Sequence, residues 1–246
     1  MTETQNKFGI FSGNILKFIA AAAMICDHMG VILFPNLEFL RIIGRLSFPI
    51  FAFMISEGAK YTKNRLRYLA TMAGFALVIQ VVYYVYNQSL EMSVLVTFTL
   101  SLCMIYALDL FKRALTRPSL TPKILTALLF FFSIVAVSAI DKAVDLDYGF
   151  AGCMLPVFAS LFVKPRDVEL PLLARLDRLS FRLCATAVGL FLLAYASPAV
   201  QYWSFLSIPL LALYSGQRGR LRTKYFFYVF YPLHLVILQC IAWLIG

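Results

Sequence analysis

Residues 15–34 read Ile-Leu-Lys-Phe-Ile-Ala-Ala-Ala-Ala-Met-Ile-Cys-Asp-His-Met-Gly-Val-Ile-Leu-Phe. Apart from Lys17, Asp27 and His28, every residue in this run is apolar or glycine. As a helix rising about 1.5 Å per residue, it covers the roughly 30 Å of a bilayer's hydrocarbon core. The run is longer than the apolar stretch of a cleavable signal, and it follows polar, nearly uncharged residues. It therefore predicts a first membrane-spanning helix rather than a signal peptide.

The rest of the chain agrees. Of its 246 residues, 61% are hydrophobic and 14% charged, and the mean hydropathy is +0.82. Soluble domains carry roughly a quarter charged residues and about half apolar ones. A soluble enzyme, a disordered chain and a secreted disulfide scaffold are excluded together. The five cysteines, Cys26, Cys103, Cys153, Cys184 and Cys240, lie in or beside apolar runs and form no CxxC pair. Their odd number forbids complete disulfide pairing, and they read as small hydrophobes. With only His28 and His234 available, no histidine-rich metal site can be built, and no metal is expected.

Nine apolar stretches approach spanning length: 15–34, 42–59, 69–86, 94–111, 124–140, 150–163, 181–196, 200–213 and 225–245. The second, sixth and eighth are short or interrupted. The expectation is an all-α polytopic protein of about nine transmembrane helices. It forms a single transmembrane domain over residues 1–246 with no separate soluble domain.

Lys and Arg set the orientation. Lys60, Lys63, Arg65 and Arg67 follow the second stretch, and Lys112, Arg113, Arg117 and Lys123 follow the fourth. Lys164, Arg166, Arg175, Arg178 and Arg182 follow the sixth, and Arg218, Arg220, Arg222 and Lys224 follow the eighth. These loops hold 17 of the chain's 22 basic residues. Only Arg41, Arg45 and Lys142 fall on the opposite side. The positive-inside rule then predicts a cytoplasmic N-terminus and an outer C-terminus. It also explains the net charge of +10 without a nucleic-acid partner; the expected partner is the lipid bilayer.

Ionisable residues inside a membrane are costly and mark function or pairing. His28 lies roughly 20 Å from the cytoplasmic edge of the first helix, and His234 roughly 15 Å up the ninth, a similar depth. A near-neutral imidazole can serve as a general base. Adjacent residues on a helix point about 100° apart, so Asp27 does not orient His28 directly. Asp27 and His28 read either as a reactive pair or as polar tethers between helices. Arg41 and Arg45 share one helical face at i and i+4. They would serve as partners for Asp27 or as a site for an anionic substrate group. Glu57 reads as a catalytic acid or as a partner of the nearby lysines. Asp147, with Tyr148 and Gly149, forms an acidic outer turn that suits a cationic substrate or caps a helix. Gly216-Gln217-Arg218-Gly219-Arg220 is either a phosphate-approaching turn or an ordinary basic loop. Pro232, two residues before His234, shapes the last helix around that histidine.

Several motifs resemble one family. They are Leu16-Lys17-x-Ile19-Ala20, Met24-x-x-Asp27-His28-x-Gly30 with Phe34-Pro35, and Arg41-Ile42-Ile43-Gly44-Arg45-x-x-Phe48-Pro49-Ile50-Phe51-Ala52-Phe53 with Glu57-Gly58. Later come Phe98-Thr99, Asp147-Tyr148-Gly149, Leu213-Tyr214-x-Gly216-x-Arg218-Gly219 and Tyr225-x-Phe227-Tyr228-x-x-Tyr231-Pro232-x-His234-Leu235. Together they resemble the TraX family over nearly the whole chain. Ser215 stands where that family's pattern has asparagine, and residues 165–182 match nothing in it.

The family takes its name from a membrane protein that acetylates the amino terminus of a conjugative pilin. The resemblance implies an integral-membrane acetyltransferase of the bacterial cytoplasmic (inner) membrane, using acetyl-CoA. The acceptor, an amine or hydroxyl on a pilin-like N-terminus, a sugar or another small molecule, is left open. On this reading His28, with Asp27 and Glu57, is catalytic. Arg41, Arg45, Asp147, Tyr148 and His234 would contact the acceptor. Arg218, Arg220, Lys224 and Tyr228, with Lys63 and Arg65 nearby, would receive the nucleotide end of acetyl-CoA. A proton-coupled transporter or flippase is the alternative, although the chain has no inverted repeat. A non-catalytic assistant of a surface assembly machine is a third class.

Overall fold

The computed structural model describes residues 9–87, 91–221 and 225–245. All described secondary structure is helical apart from two isolated β-bridges. Each of the nine apolar stretches carries helix. The elements are α1 (Gly13–Ile32), α2 (Glu38–Gly44), α3 (Ser47–Tyr61), α4 (Arg65–Asn87), α5 (Val94–Ala114) and α6 (Leu120–Ala143). They continue with α7 (Gly149–Ser160), α8 (Pro171–Leu176), α9 (Leu179–Tyr195), a 3-10 helix (Ala199–Leu206), α10 (Ser207–Ala212) and α11 (Phe226–Ile245).

Among the described residues, six helical runs are long and apolar enough to cross a membrane: α1, α2 with α3, the Arg65–Tyr84 part of α4, α5, α6 and α11. The chain is a multi-pass membrane protein. Three of the nine expected spans fall short of that length. α7 has 12 residues and α9 has 17. The 200–213 stretch is a 3-10 helix running into the six-residue α10.

Local chemistry explains these boundaries. The Ser12 hydroxyl caps α1 by accepting from Ile15 N. Pro49 lies in the first turn of α3, where its ring conflicts with the carbonyl four residues back, at Arg45. The run Glu38–Tyr61 accordingly breaks between Gly44 and Ser47. Two buried cations satisfy carbonyls at and just beyond the end of α7. Lys112 Nζ donates to Ser160 O at 2.8 Å and to Val163 O at 3.0 Å. Arg182 Nε donates to Ala159 O at 3.2 Å. Cations at a helix C-terminus complement its dipole.

The chain divides into two compact units: residues 1–54 with 194–246, and residues 55–193. In unit 1, α1 packs on α2 and α11, and the 3-10 helix packs on α2 and α10. In unit 2, α5 is central and touches α4, α6 and α7. The sequence assigns the cysteines to buried positions, but only Cys153 is buried; Cys103, Cys184 and Cys240 are exposed. They lie on helices that also expose large apolar side chains such as Leu110, Phe191 and Ile237, faces suited to lipid.

Candidate functional site

Unit 1 holds both histidines. His28 is on α1 and His234 on α11, and the packing of these helices brings His234 Nε2 to 3.0 Å from His28 Nδ1. Their ring centroids are 4.9 Å apart. The His234 ring is fixed by Phe230, stacked at 10° and 5.0 Å, and by the edge of Tyr231 at 5.9 Å. Phe18 of α1 packs on Phe226 and Phe227 of α11, roughly two to three turns nearer the start of each helix.

The hydrogen-bond network assigns the protons. His234 Nδ1 lies 2.9 Å from Phe230 O, and His28 Nδ1 lies 3.0 Å from Met24 O. A carbonyl can only accept, so both Nδ1 atoms carry hydrogen. Neutral His234 then presents a lone pair at Nε2, and the proton on His28 Nδ1 is shared between that lone pair and Met24 O. His28 Nε2 is left with a lone pair and no hydrogen-bond partner among the described residues. That is the protonation state a general base requires.

Asp27 belongs to a separate cluster on the same helix. Its carboxylate forms ion pairs with Arg41, at 2.8 Å, and with Arg45. Arg41 also donates to the Asp27 carbonyl at 3.3 Å. Arg45 is buried, and its Nη1 donates to Gln201 Oε1 at 3.1 Å. This close approach of α1 and α2 depends on Gly44, because a Cβ there would stand 2.2 Å from Asp27 Oδ1. The sequence leaves two readings open for the arginine pair, and the structure supplies the Asp27 contact. Gln201 was missed, since one polar residue in an apolar run gives no sign of its partner. Ser204 Oγ, Ser207 Oγ and Gln201 Nε2 are buried without hydrogen-bond partners among the described residues.

The 213–221 turn runs along the start of α1. Phe11 N donates to Leu213 O, Gly13 N to Gln217 O and Asn14 N to Arg218 O. The turn's carbonyls thus satisfy amides that the first helical turn leaves unpaired. Gly219, at φ +92°, passes so close that a Cβ would sit 2.8 Å from Ser12 Oγ. The side chains of Arg218 and Arg220 are exposed and Tyr228 is half-buried. Lys224 lies outside the described residues.

Unit 2 holds the remaining predicted residues. Glu57 pairs with Arg182 at 2.5 Å, both buried, and Arg182 Nη2 also donates to Ser56 Oγ at 3.2 Å. The sequence suggests the nearby lysines as partners of Glu57; the partner is instead an arginine on α9 that reads as part of a basic loop. Tyr148 adopts a left-handed conformation, φ 63°, immediately before α7. Asp147 O accepts from Thr97 Oγ1 at 2.7 Å, and the Asp147 side chain is exposed. Among the described residues, no group of three His, Cys, Asp or Glu side chains is arranged to hold a metal.

These motifs fall within a known group of proteins. The sequence profile described as TraX protein matches residues 12–242. The chain belongs to the TraX family. A TraX-like relative is the probable fimbrial assembly protein FimC, serogroup H1, of Dichelobacter nodosus; it is 28% identical over 93% of this chain and 94% of its own length. A second is the uncharacterized protein RP591 of Rickettsia prowazekii (strain Madrid E), 32% identical over 38% of this chain and 36% of its own. No solved structure matches the chain. The TraX match includes the histidines, the Asp27 cluster and the turn clasped to α1.

Proposed function

We propose that this protein is an integral-membrane acetyltransferase that moves an acetyl group from acetyl-CoA to an amine or hydroxyl acceptor. The observation that carries the reading is the His28–His234 contact, which leaves the His28 Nε2 lone pair available. His28 Nε2 takes the proton of the attacking acceptor nitrogen or oxygen. A C–N or C–O bond forms at the acetyl carbonyl, the thioester C–S bond breaks, and His28 returns the proton to the departing sulfur. His234 holds the His28 tautomer, as a partnered ring fixes its neighbour in other acid–base sites.

The remaining residues take supporting parts. Asp27 anchors Arg41 and Arg45. Arg41, whose side chain is 31% exposed, is the member of that cluster an acceptor can reach. Asp147 and Tyr148 offer an alternative acceptor contact within unit 2. Arg218, Arg220, Lys224 and Tyr228 are one candidate receptor for the donor's nucleotide end, and Lys63 and Arg65 are another. Glu57, neutralised by buried Arg182, acts as a packing anion. The chain crosses the bacterial cytoplasmic membrane about nine times, counting the three segments shorter than a full span, with its N-terminus in the cytoplasm. The fimbrial name of the Dichelobacter relative supports an acceptor destined for a surface fibre.

The test is to incubate the purified protein with acetyl-labelled acetyl-CoA and a pool of pilin-like peptides, amines and sugars. Label in an acceptor, matched by free CoA, is the expected result. Substrate flux into proteoliposomes without acetyl-CoA, and no label transfer, would replace this reading with a transporter.

A further inference from the structure

Unit 2 contains a cavity of about 250 Å³, lined in part by Lys63 and Arg65, which the sequence reading associates with the donor. It opens where α3, α5 and α7 end. Lys60 enters it from the last turn of α3, Lys63 from the α3–α4 turn, Arg65 from the start of α4, and Lys112 and Arg113 from the last turn of α5. Lys164 and Arg166 reach it from the segment after α7. Two carboxylates line it, Asp109 and Asp167. Asp177 bonds Lys60 and Glu169 bonds Lys164. Even counting all four carboxylates, the seven cations keep a surplus of three.

The surplus is concentrated at the rim. Asp109 is shared between Arg65 and Arg113, and Asp167 binds Arg113. Lys112 is turned inward to the end of α7. Lys63 and Arg166 are exposed, and neither has a carboxylate at ion-pair distance among the described residues. The Arg166 guanidinium rests on the Tyr61 ring at 5.0 Å, which holds its donors in place. A concave wall of one charge sign focuses its field on the space it encloses. Arginine forks and lysine point charges are the groups that hold phosphate. The volume lies below the roughly 300 Å³ at which pockets enclose a whole ligand, so the cavity takes a charged end and leaves the rest outside.

We propose that this cavity binds the phosphate groups of a nucleotide ligand. Identifying that ligand as the nucleotide end of acetyl-CoA rests on the acetyltransferase reading and on its orientation, which turns this cavity to the cytoplasm. The phosphate of an anionic lipid headgroup offers the same chemistry from another source, and the experiment separates the two.

The full-length protein is placed in nanodiscs of zwitterionic phosphatidylcholine, and binding of pyrophosphate and of CoA is measured. Wild type, His28→Ala and the rim variant Lys63→Gln/Arg166→Gln are compared. Both substitutions are at exposed positions, and an unchanged melting temperature confirms folding. Loss of one charge-assisted contact weakens binding about ten-fold. The rim variant should therefore lose about 100-fold for both ligands, with a weaker salt dependence, while His28→Ala binds them as wild type does. Equal binding by wild type and rim variant overturns the proposal, and if CoA still binds, the acetyltransferase reading survives it. Rim-dependent binding of pyrophosphate without CoA keeps the cavity and rejects acetyl-CoA. If neither ligand binds, native mass spectrometry from phosphatidylglycerol nanodiscs decides. Lipid retained by wild type and lost by the rim variant assigns the site to a headgroup; lipid retained equally by both overturns it.

Discussion

The proton arrangement along Phe230, His234 and His28 asks different things of the two rings. In the proposed mechanism His28 supplies the reacting lone pair, whereas His234 Nε2 and Met24 O together hold the Nδ1 proton that keeps that lone pair on Nε2. His234→Phe preserves a ring between Phe230 and Tyr231 but removes one of the two acceptors of the His28 Nδ1 proton, leaving Met24 O. It should lower the turnover number about 10- to 100-fold, the range for losing an orienting partner, with little change in the affinity for acetyl-CoA. Steady-state kinetics that separate kcat from KM check this, and an unchanged kcat would reduce the contact to packing. Asp27 makes a different prediction. Asp27→Ala leaves buried Arg45 without its carboxylate, which should cost about 3–5 kcal/mol of stability. Adding Arg45→Met should recover most of that loss in detergent unfolding experiments. A variant that keeps its stability but loses activity would instead place Asp27 in the chemistry.

At the scale of elements, the close contact of α1 with α2 and the exposed faces of α6 carry separate predictions. Gly44→Ala forces a methyl group into the Asp27 carboxylate and should destabilise unit 1 by about 1–3 kcal/mol; thermal unfolding measures it. α6 buries only Val137 and exposes Leu125, Leu128, Phe131 and Phe132, an apolar face suited to lipid. Leu128→Asp should therefore cost about 3 kcal/mol of insertion free energy in a translocon reporter assay, and unaltered insertion would argue that α6 does not face lipid. The helices were legible because long apolar runs dominate the sequence. The Asp27–Arg41–Arg45 cluster was half legible, since i,i+4 spacing puts both arginines on one face. The shortness of α7 was legible, but the contacts that close its end were not, because Lys112 and Arg182 resemble ordinary basic loop positions. The partner of Glu57 was hidden for the same reason: Arg182 is 125 positions away, and periodicity says nothing of such distant neighbours.

At the scale of the molecule, depth could be counted from the sequence but the direction each helix face points could not. His28 and His234 were placed at one level by residue count, yet only packing shows that they touch across 206 positions. The basic loops have the same character: their charge indicates a side of the membrane, and the fold turns some of that charge into helix caps and some into a cavity. Reporter fusions after residues 63, 117 and 167 should all report the cytoplasm, and one after residue 145 the outer side. The measurement that tests the central claim most directly is acetyl transfer by wild type and His28→Ala in one preparation, with CoA binding measured alongside. The account predicts a fall of about 10²- to 10⁴-fold in transfer, the usual contribution of a general base, with CoA affinity unchanged. Transfer at the wild-type rate in His28→Ala would contradict it.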